Sequence, residues 1–166
     1  WRRSQSFGSA ISGSDMAALT WPEAGSVFRS STAIRFAQCD PAGIVFYPQY
    51  LLLFQSLVED WFNQALHYPY AQMLGPERTG LPIVHLACDF RAIARMGDAV
   101  QLELAVLRLG SRSLNLALRC VGDDGDVRVV AHQVLVFTSL DSHEAICIPA
   151  AIQTRIARWM AGECFP

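Results

Sequence analysis

Two hydrophobic rhythms divide this chain. In residues 48–66 the apolar set Tyr50, Leu51, Phe54, Leu57, Val58, Trp61, Phe62 and Ala65 recurs every three or four positions, which predicts one long helix. Leu52 and Leu53 make its first half apolar nearly all round, so that half is expected to be wrapped by other structure, while Gln49, Ser56, Glu59, Asp60 and Asn63 form a polar stripe facing solvent. Elsewhere the period is two. Residues 27–36 alternate weakly and predict a first strand. Four more strands are expected at 83–92, 98–108, 112–121 and 127–140.

In those later strands the inward sets are Val84, Leu86, Cys88 and Phe90; then Val100, Leu102, Leu104 and Val106; then Leu114, Leu116, Leu118 and Cys120. Asp123-Asp124-Gly125 is a hairpin signal ahead of the last strand, the longest of the set. Residues 67–81 are a connection rich in breakers, followed by Pro82, with a short helical turn at 70–74, and Pro149 opens a short C-terminal helix to residue 160 that turns Ile152, Ile156 and Trp159 to one side. The class is therefore α+β: one long helix on one antiparallel sheet, with the four later strands as meander neighbours. Such a sheet leaves a face and an edge to be covered, so a homo-oligomer is expected.

Residues 1–25 are expected to be a separate flexible segment, because the stretch from Ser4 to Ser14 is rich in Ser and Gly and has little to bury. Met16 is a candidate start, which would make residues 1–15 an extension. Residues 26–166 then form a single domain.

Composition narrows the partners. With 52% hydrophobic residues, 17% charged and a formal net charge of −2, nothing argues for nucleic acid or for a membrane-binding surface. No apolar run reaches the length of a membrane span. Every basic residue is Arg, so lysine chemistry is excluded and a polyphosphate must be met by Arg, His or backbone N–H groups. Cys39, Cys88, Cys120, Cys147 and Cys164 are scattered and odd in number, which reads as reduced thiols in a cytoplasmic setting. No His, Cys or Asp cluster has metal-ligand spacing, and no metal or redox cofactor is expected.

Chemistry concentrates at one junction, Cys39-Asp40-Pro41-Ala42-Gly43-Ile44-Val45-Phe46-Tyr47-Pro48-Gln49-Tyr50. Asp-Pro-x-Gly is turn chemistry, and Tyr47-Pro48 reads as a helix start because proline is at home in the first turn. A carboxylate, Asp40, thus stands at the mouth of a helix whose free N–H groups form an anion site. That suits attack on a carbonyl with stabilisation of the resulting oxyanion. Asp before Pro also serves as a plain turn or helix cap.

This stretch resembles the signature CDPAGIVxYPxY of the 4-hydroxybenzoyl-CoA thioesterase family of hotdog-fold proteins, matching nearly unbroken from Cys39 to Tyr50. The resemblance implies a sheet curled around a central helix and a homo-oligomer, dimer or tetramer, with sites at subunit interfaces. It also implies hydrolysis of an acyl-CoA, aromatic such as hydroxybenzoyl-CoA or short aliphatic, with coenzyme A as part of the substrate. The catalytic carboxylate falls on Asp40, acting as nucleophile or general base, and the oxyanion donor on the backbone N–H of Tyr47. Gly43, Ile44, Val45 and Phe46 fall in the substrate-binding run, with Gly43 read either as close backbone approach to the ligand or as turn geometry.

Other candidates rank behind these. A second branch of hotdog thioesterases carries its carboxylate on the central helix, which would be Glu59, although a solvated helix charge explains that residue as well. His85, opposite the inward residues of its strand, is a candidate lining residue of a composite site; His132 and His143 rank lower. Arg112 falls where related enzymes have a basic residue, and Arg91, Arg95, Arg108 and Arg128 share strand-end positions suited to CoA phosphates. Two alternatives stand beside hydrolysis: an acyl-thioester dehydratase, which would want a His paired with the acid, and an acyl-CoA-binding module without turnover.

Overall fold

The computed structural model describes residues 21–22 and 25–163. Most of the expected flexible segment at 1–25 lies outside them, as does Cys164. The elements run β1 (Val27–Ala33), α1 (Pro48–Asp60), α2 (Tyr70–Leu74), β2 (Thr79–Gly80), β3 (Ile83–Phe90), β4 (Ala99–Leu109), β5 (Ser113–Gly122), β6 (Val127–Val136), β7 (Thr138–Ser139) and α3 (Ala150–Met160). Five strands form one sheet in the order β1-β4-β5-β6-β3, every pair antiparallel, and β2 pairs with β7 separately.

The alternation read from β4 and β5 sets the core. Leu102, Leu104, Leu116, Leu118 and Cys120 pair across the strands on one face, and α1 lays Phe54, Leu57, Val58 and Trp61 against them, the helix residues fully buried. Each such side chain contributes roughly 1.5–3 kcal/mol on burial. Ile152 and Ile156 of α3 close the same core.

Several expectations need correction. β4, β5 and β6 form a meander, but β3 pairs with β6 rather than β4, because β1 occupies the free edge of β4 through seven paired residues. β1 ends at Ala33, and Phe36 sits in a tight turn where Gln38 N–H donates to the Arg35 carbonyl (3.0 Å), leaving the Phe36 ring 82% exposed. The expected strand at 127–140 breaks at Phe137, whose N–H donates to the Arg112 carbonyl (2.9 Å), and its continuation pairs with β2.

The expected inward face of β3 is only partly buried in this chain. Leu86, Cys88 and Phe90 share the helix side with Gln133, Ala131 and Val129, and Cys88 packs half-buried against the core, but β3 is the sheet edge, so Leu86 and Phe90 stay exposed even though the Tyr50 ring of α1 lies 6.1 Å from the Phe90 ring. Val84 is displaced at a register shift. Leu52 of α1 is likewise exposed rather than wrapped. The long helix also changes pitch: Trp61–Ala65 continue α1 as a π-helical turn, with Leu66 N–H reaching the Trp61 carbonyl at 3.0 Å.

Candidate active site

Between β1 and α1 the backbone doubles back on itself. Phe46 N–H donates to the Gln38 carbonyl (2.9 Å), Cys39 bridges Val45, and Asp40 N–H donates to the Ile44 carbonyl (2.9 Å). Gly43 N–H closes the tip on the Asp40 carbonyl (2.9 Å) with φ at +76°, a left-handed conformation that glycine adopts without steric cost. A Cβ there would meet nothing within 4 Å, so within this chain turn geometry rather than crowding asks for the glycine. The outer arm is tied to the rest of the fold by Val45 N–H donating to the Ala94 carbonyl (3.0 Å) and by a bridge between Ile44 and Arg95, while buried Val45 anchors it in the core.

Asp40 is half-buried at this tip. Its Oδ1 accepts the Ala42 N–H at 2.8 Å, which fixes the side chain, while no described Arg or His forms an ion pair with it. It lines a cleft of about 620 Å³ together with Phe36, Cys39, Pro41, Gly43, Arg95 and Met96. That volume suits a small-molecule site. Phe36 and Met96 carried no signal in the sequence. The pairing of Ile44 with Arg95 brings the 95–96 turn to the hairpin, across a separation no local pattern reveals.

Tyr47 caps α1 with φ −49° and ψ −37°, and Pro48 follows at the first helical position. The Phe46 and Tyr47 carbonyls accept from Gln49 and Tyr50, but among the described residues the Tyr47 N–H donates to none. Its ring is exposed and packs edge-on against Phe46 and Phe90. Beneath it Tyr50 is buried, and burial pushes its hydroxyl pKa up to about 12, aided by the nearby Cys120. Tyr47, Phe46, Val45 and Ile44 belong to the hairpin's return arm and do not line the cleft that Asp40 and Gly43 share.

The remaining candidates lie apart. His85 is exposed on the edge strand, opposite Val134 and on the sheet face away from α1. Arg112 is exposed in the β4–β5 turn, at the far end of β4 from the hairpin, a span of ~35 Å for an 11-residue strand. Arg91 pairs with Asp89 at 3.6 Å, and Arg128 is buried against Asp124 at 2.5 Å. Glu59 is exposed on α1, eleven residues beyond Pro48 and so ~17 Å along the helix. Among the described residues no group of three His, Cys, Asp or Glu side chains is placed to hold a metal ion.

A long helix laid on a five-stranded antiparallel sheet, with an acid hairpin at its N-terminus, is the hotdog architecture expected from the motif. The thioesterase-like superfamily profile matches residues 34–156, and the chain belongs to that family. Among curated relatives, 4-hydroxybenzoyl-CoA thioesterase from Pseudomonas sp. (strain CBS-3) is 30% identical over 125 residues, covering 70% of this chain and 88% of the relative. A 1,4-dihydroxy-2-naphthoyl-CoA hydrolase from Synechocystis sp. is 28% identical over 79 residues; the match spans 48% of this chain and only 56% of the hydrolase. The crystal structure of a 1,4-dihydroxy-2-naphthoyl-CoA thioesterase from Synechocystis superposes with a TM-score of 0.73 at 22% identity, covering 79% of this chain and 96% of that one, which establishes the shared fold. No helix of the described residues is long and apolar enough to cross a membrane.

Proposed function

We propose that this protein is an acyl-CoA thioesterase, converting R-CO-S-CoA and water to a carboxylic acid and free coenzyme A. One observation carries the reading: in a thioesterase-like chain, the motif acid Asp40 stands in a cleft, held by a backbone N–H and unpaired with any described cation. An ionised carboxylate so placed can attack the thioester carbon, expelling the CoA thiolate to leave an anhydride that water opens. It can equally take a proton from a water that attacks the same carbon. Both routes place negative charge on the carbonyl oxygen. The unclaimed Tyr47 N–H at the positive end of α1 would receive that charge.

An aromatic acyl group is favoured over a short aliphatic one by the similarity to hydroxybenzoyl- and dihydroxynaphthoyl-CoA hydrolases. The reaction as written uses no metal or redox cofactor. A homo-oligomer, dimer or tetramer, is part of the reading and is supported by β3: an edge strand with free backbone groups and exposed Ile83, Val84, Leu86 and Phe90. Pairing there would bring the exposed His85 of one copy to the other, while Ile44 and Phe46 stand in the hairpin that carries each cleft's acid. Free thiols at Cys39, Cys88, Cys120 and Cys147 support a cytoplasmic location.

Free-thiol release from a panel of aromatic and aliphatic acyl-CoAs, with wild type and Asp40→Asn side by side, tests the proposal. Turnover by the wild type with at least a ~100-fold loss in the variant is expected. Binding without turnover by either protein would replace hydrolysis with an acyl-CoA-binding role.

A further inference from the structure

The cleft holds a cation as well as an acid. Arg95 lines it together with Asp40, Phe36 and Met96. Several other guanidinium groups are committed elsewhere, Arg29 and Arg119 to Glu103, Arg78 to Asp141, Arg128 to Asp124 and Arg158 to Glu163, and Arg35, exposed beside the hairpin, does not line the cleft. Arg108 and Arg112 lie at the far end of β4. Arg95 is exposed and makes no ion pair with any described carboxylate, Asp40 included.

Its backbone, by contrast, is tightly held. Arg95 N–H donates to Asp98 Oδ2 (2.8 Å), Asp98 N–H returns to the Arg95 carbonyl (3.1 Å), and Gly97 turns between them at φ +91°. Arg95 bridges Ile44, and Ile44 in turn accepts from Asp40, so three backbone segments lie side by side. Two such spacings put the Asp40 and Arg95 backbones ~10 Å apart.

From this the geometry points to Arg95 as the residue that binds a phosphate of the coenzyme A portion while the thioester lies at Asp40. The inference rests on the acyl-CoA reading above. Among the described residues Arg95 is the cation that lines the cleft with Asp40. Exposure selects the phosphate over an anionic acyl group: an acyl chain is held by taking it out of water, whereas the nucleotide end stays hydrated, where a guanidinium fork binds phosphate well.

Two thioesters with the same acyl group test this, one of coenzyme A and one of pantetheine, which has no phosphate. Both are assayed with wild type, Arg95→Gln and, as a surface-charge control, Arg158→Gln. The expected result is that Arg95→Gln raises KM for the CoA thioester roughly tenfold or more, leaves kcat within about twofold and leaves the pantetheine thioester unaffected. Rising salt should weaken the wild type toward the variant. Equal losses on both thioesters, or no change on either, overturn the assignment. If the wild type turns over neither thioester, calorimetric binding of coenzyme A itself decides. Weaker binding by Arg95→Gln than by wild type keeps the phosphate site while removing the hydrolysis reading; equal or absent binding overturns the site.

Discussion

Asp40 and Glu103 are both carboxylates fixed by backbone architecture, and their surroundings differ in every respect that matters for reactivity. Glu103 lies on the outer face of the sheet at 4% exposure, bonded by Arg29 at 2.9 Å on one side and by Arg119 on the other, with the Trp21 ring over the Arg119 guanidinium at 4.2 Å. Both oxygens are spent and the charge is neutralised. Burial permits nothing else, because a carboxylate removed from water needs partners. Asp40 is only half-buried, is held by one N–H of its own turn, and forms no ion pair among the described residues. The contrast sets a fully paired carboxylate, which braces the sheet, beside a half-exposed one that keeps an oxygen open to the cleft.

Exchanging the two roles by mutation would break this comparison. The largest effect belongs at the hairpin. Tyr47→Pro removes the unclaimed N–H at a position whose φ of −49° already suits proline. Catalysis should fall ~100- to 1000-fold with secondary structure and melting temperature preserved, whereas Tyr47→Phe should keep full turnover. A large loss in Tyr47→Phe would instead place the phenol, not the backbone, in the chemistry. Next in size is Glu103→Ala, which leaves Arg29 and Arg119 facing each other. Because both cations retain some access to water, the cost is about 2–3 kcal/mol in urea unfolding, below that of a fully buried broken pair, with kcat of the remaining folded protein unchanged. A loss of kcat without a loss of stability would reverse the two assignments.

The floor under the hairpin supplies a milder test. Burial raises the Cys120 thiol from 9.0 to about 12 and the Tyr50 hydroxyl from 10.0 to about 12. Both are neutral when protonated and both hold the proton more tightly when folded. Their contribution is therefore complete below about pH 9 and is lost as pH rises toward 12. Urea midpoints should be flat up to pH 9 and fall above it, with a shallower fall in Cys120→Ala. An equally steep fall in that variant would remove Cys120 from the account.

Legibility followed the range of the interactions. The helix at 48–66 and the inward sets of β4 and β5 were readable because their periodicity is local and their burial lies within one chain. The turn at Gly43, the helix start at Pro48 and the placing of the candidate acid Asp40 beside them were readable because they are contiguous from Cys39 to Tyr50. What could not be read was set by distant pairing. β3 carries an apolar alternation as good as that of β4, yet lies at the sheet edge, because β1 takes the place beside β4. Phe36 and Met96 reach the cleft only through the pairing of Ile44 with Arg95. Arg112, on a strand-end pattern like that of Arg95, is carried to the opposite end of the sheet.

Glu59 completes the comparison as a third carboxylate, neither paired like Glu103 nor set in a cleft like Asp40. It is exposed on α1 near Tyr70, whose hydroxyl pKa is raised mainly by burial with a smaller push from the Glu59 charge. A helix acid in water stabilises little and has no substrate to meet within this chain. Glu59→Gln should leave kcat/KM within about twofold and stability within ~0.5 kcal/mol. A loss comparable to that of Asp40→Asn would mean that a neighbouring copy brings its cleft to this helix face. The acid of the central helix would then share the reaction with the acid of the hairpin.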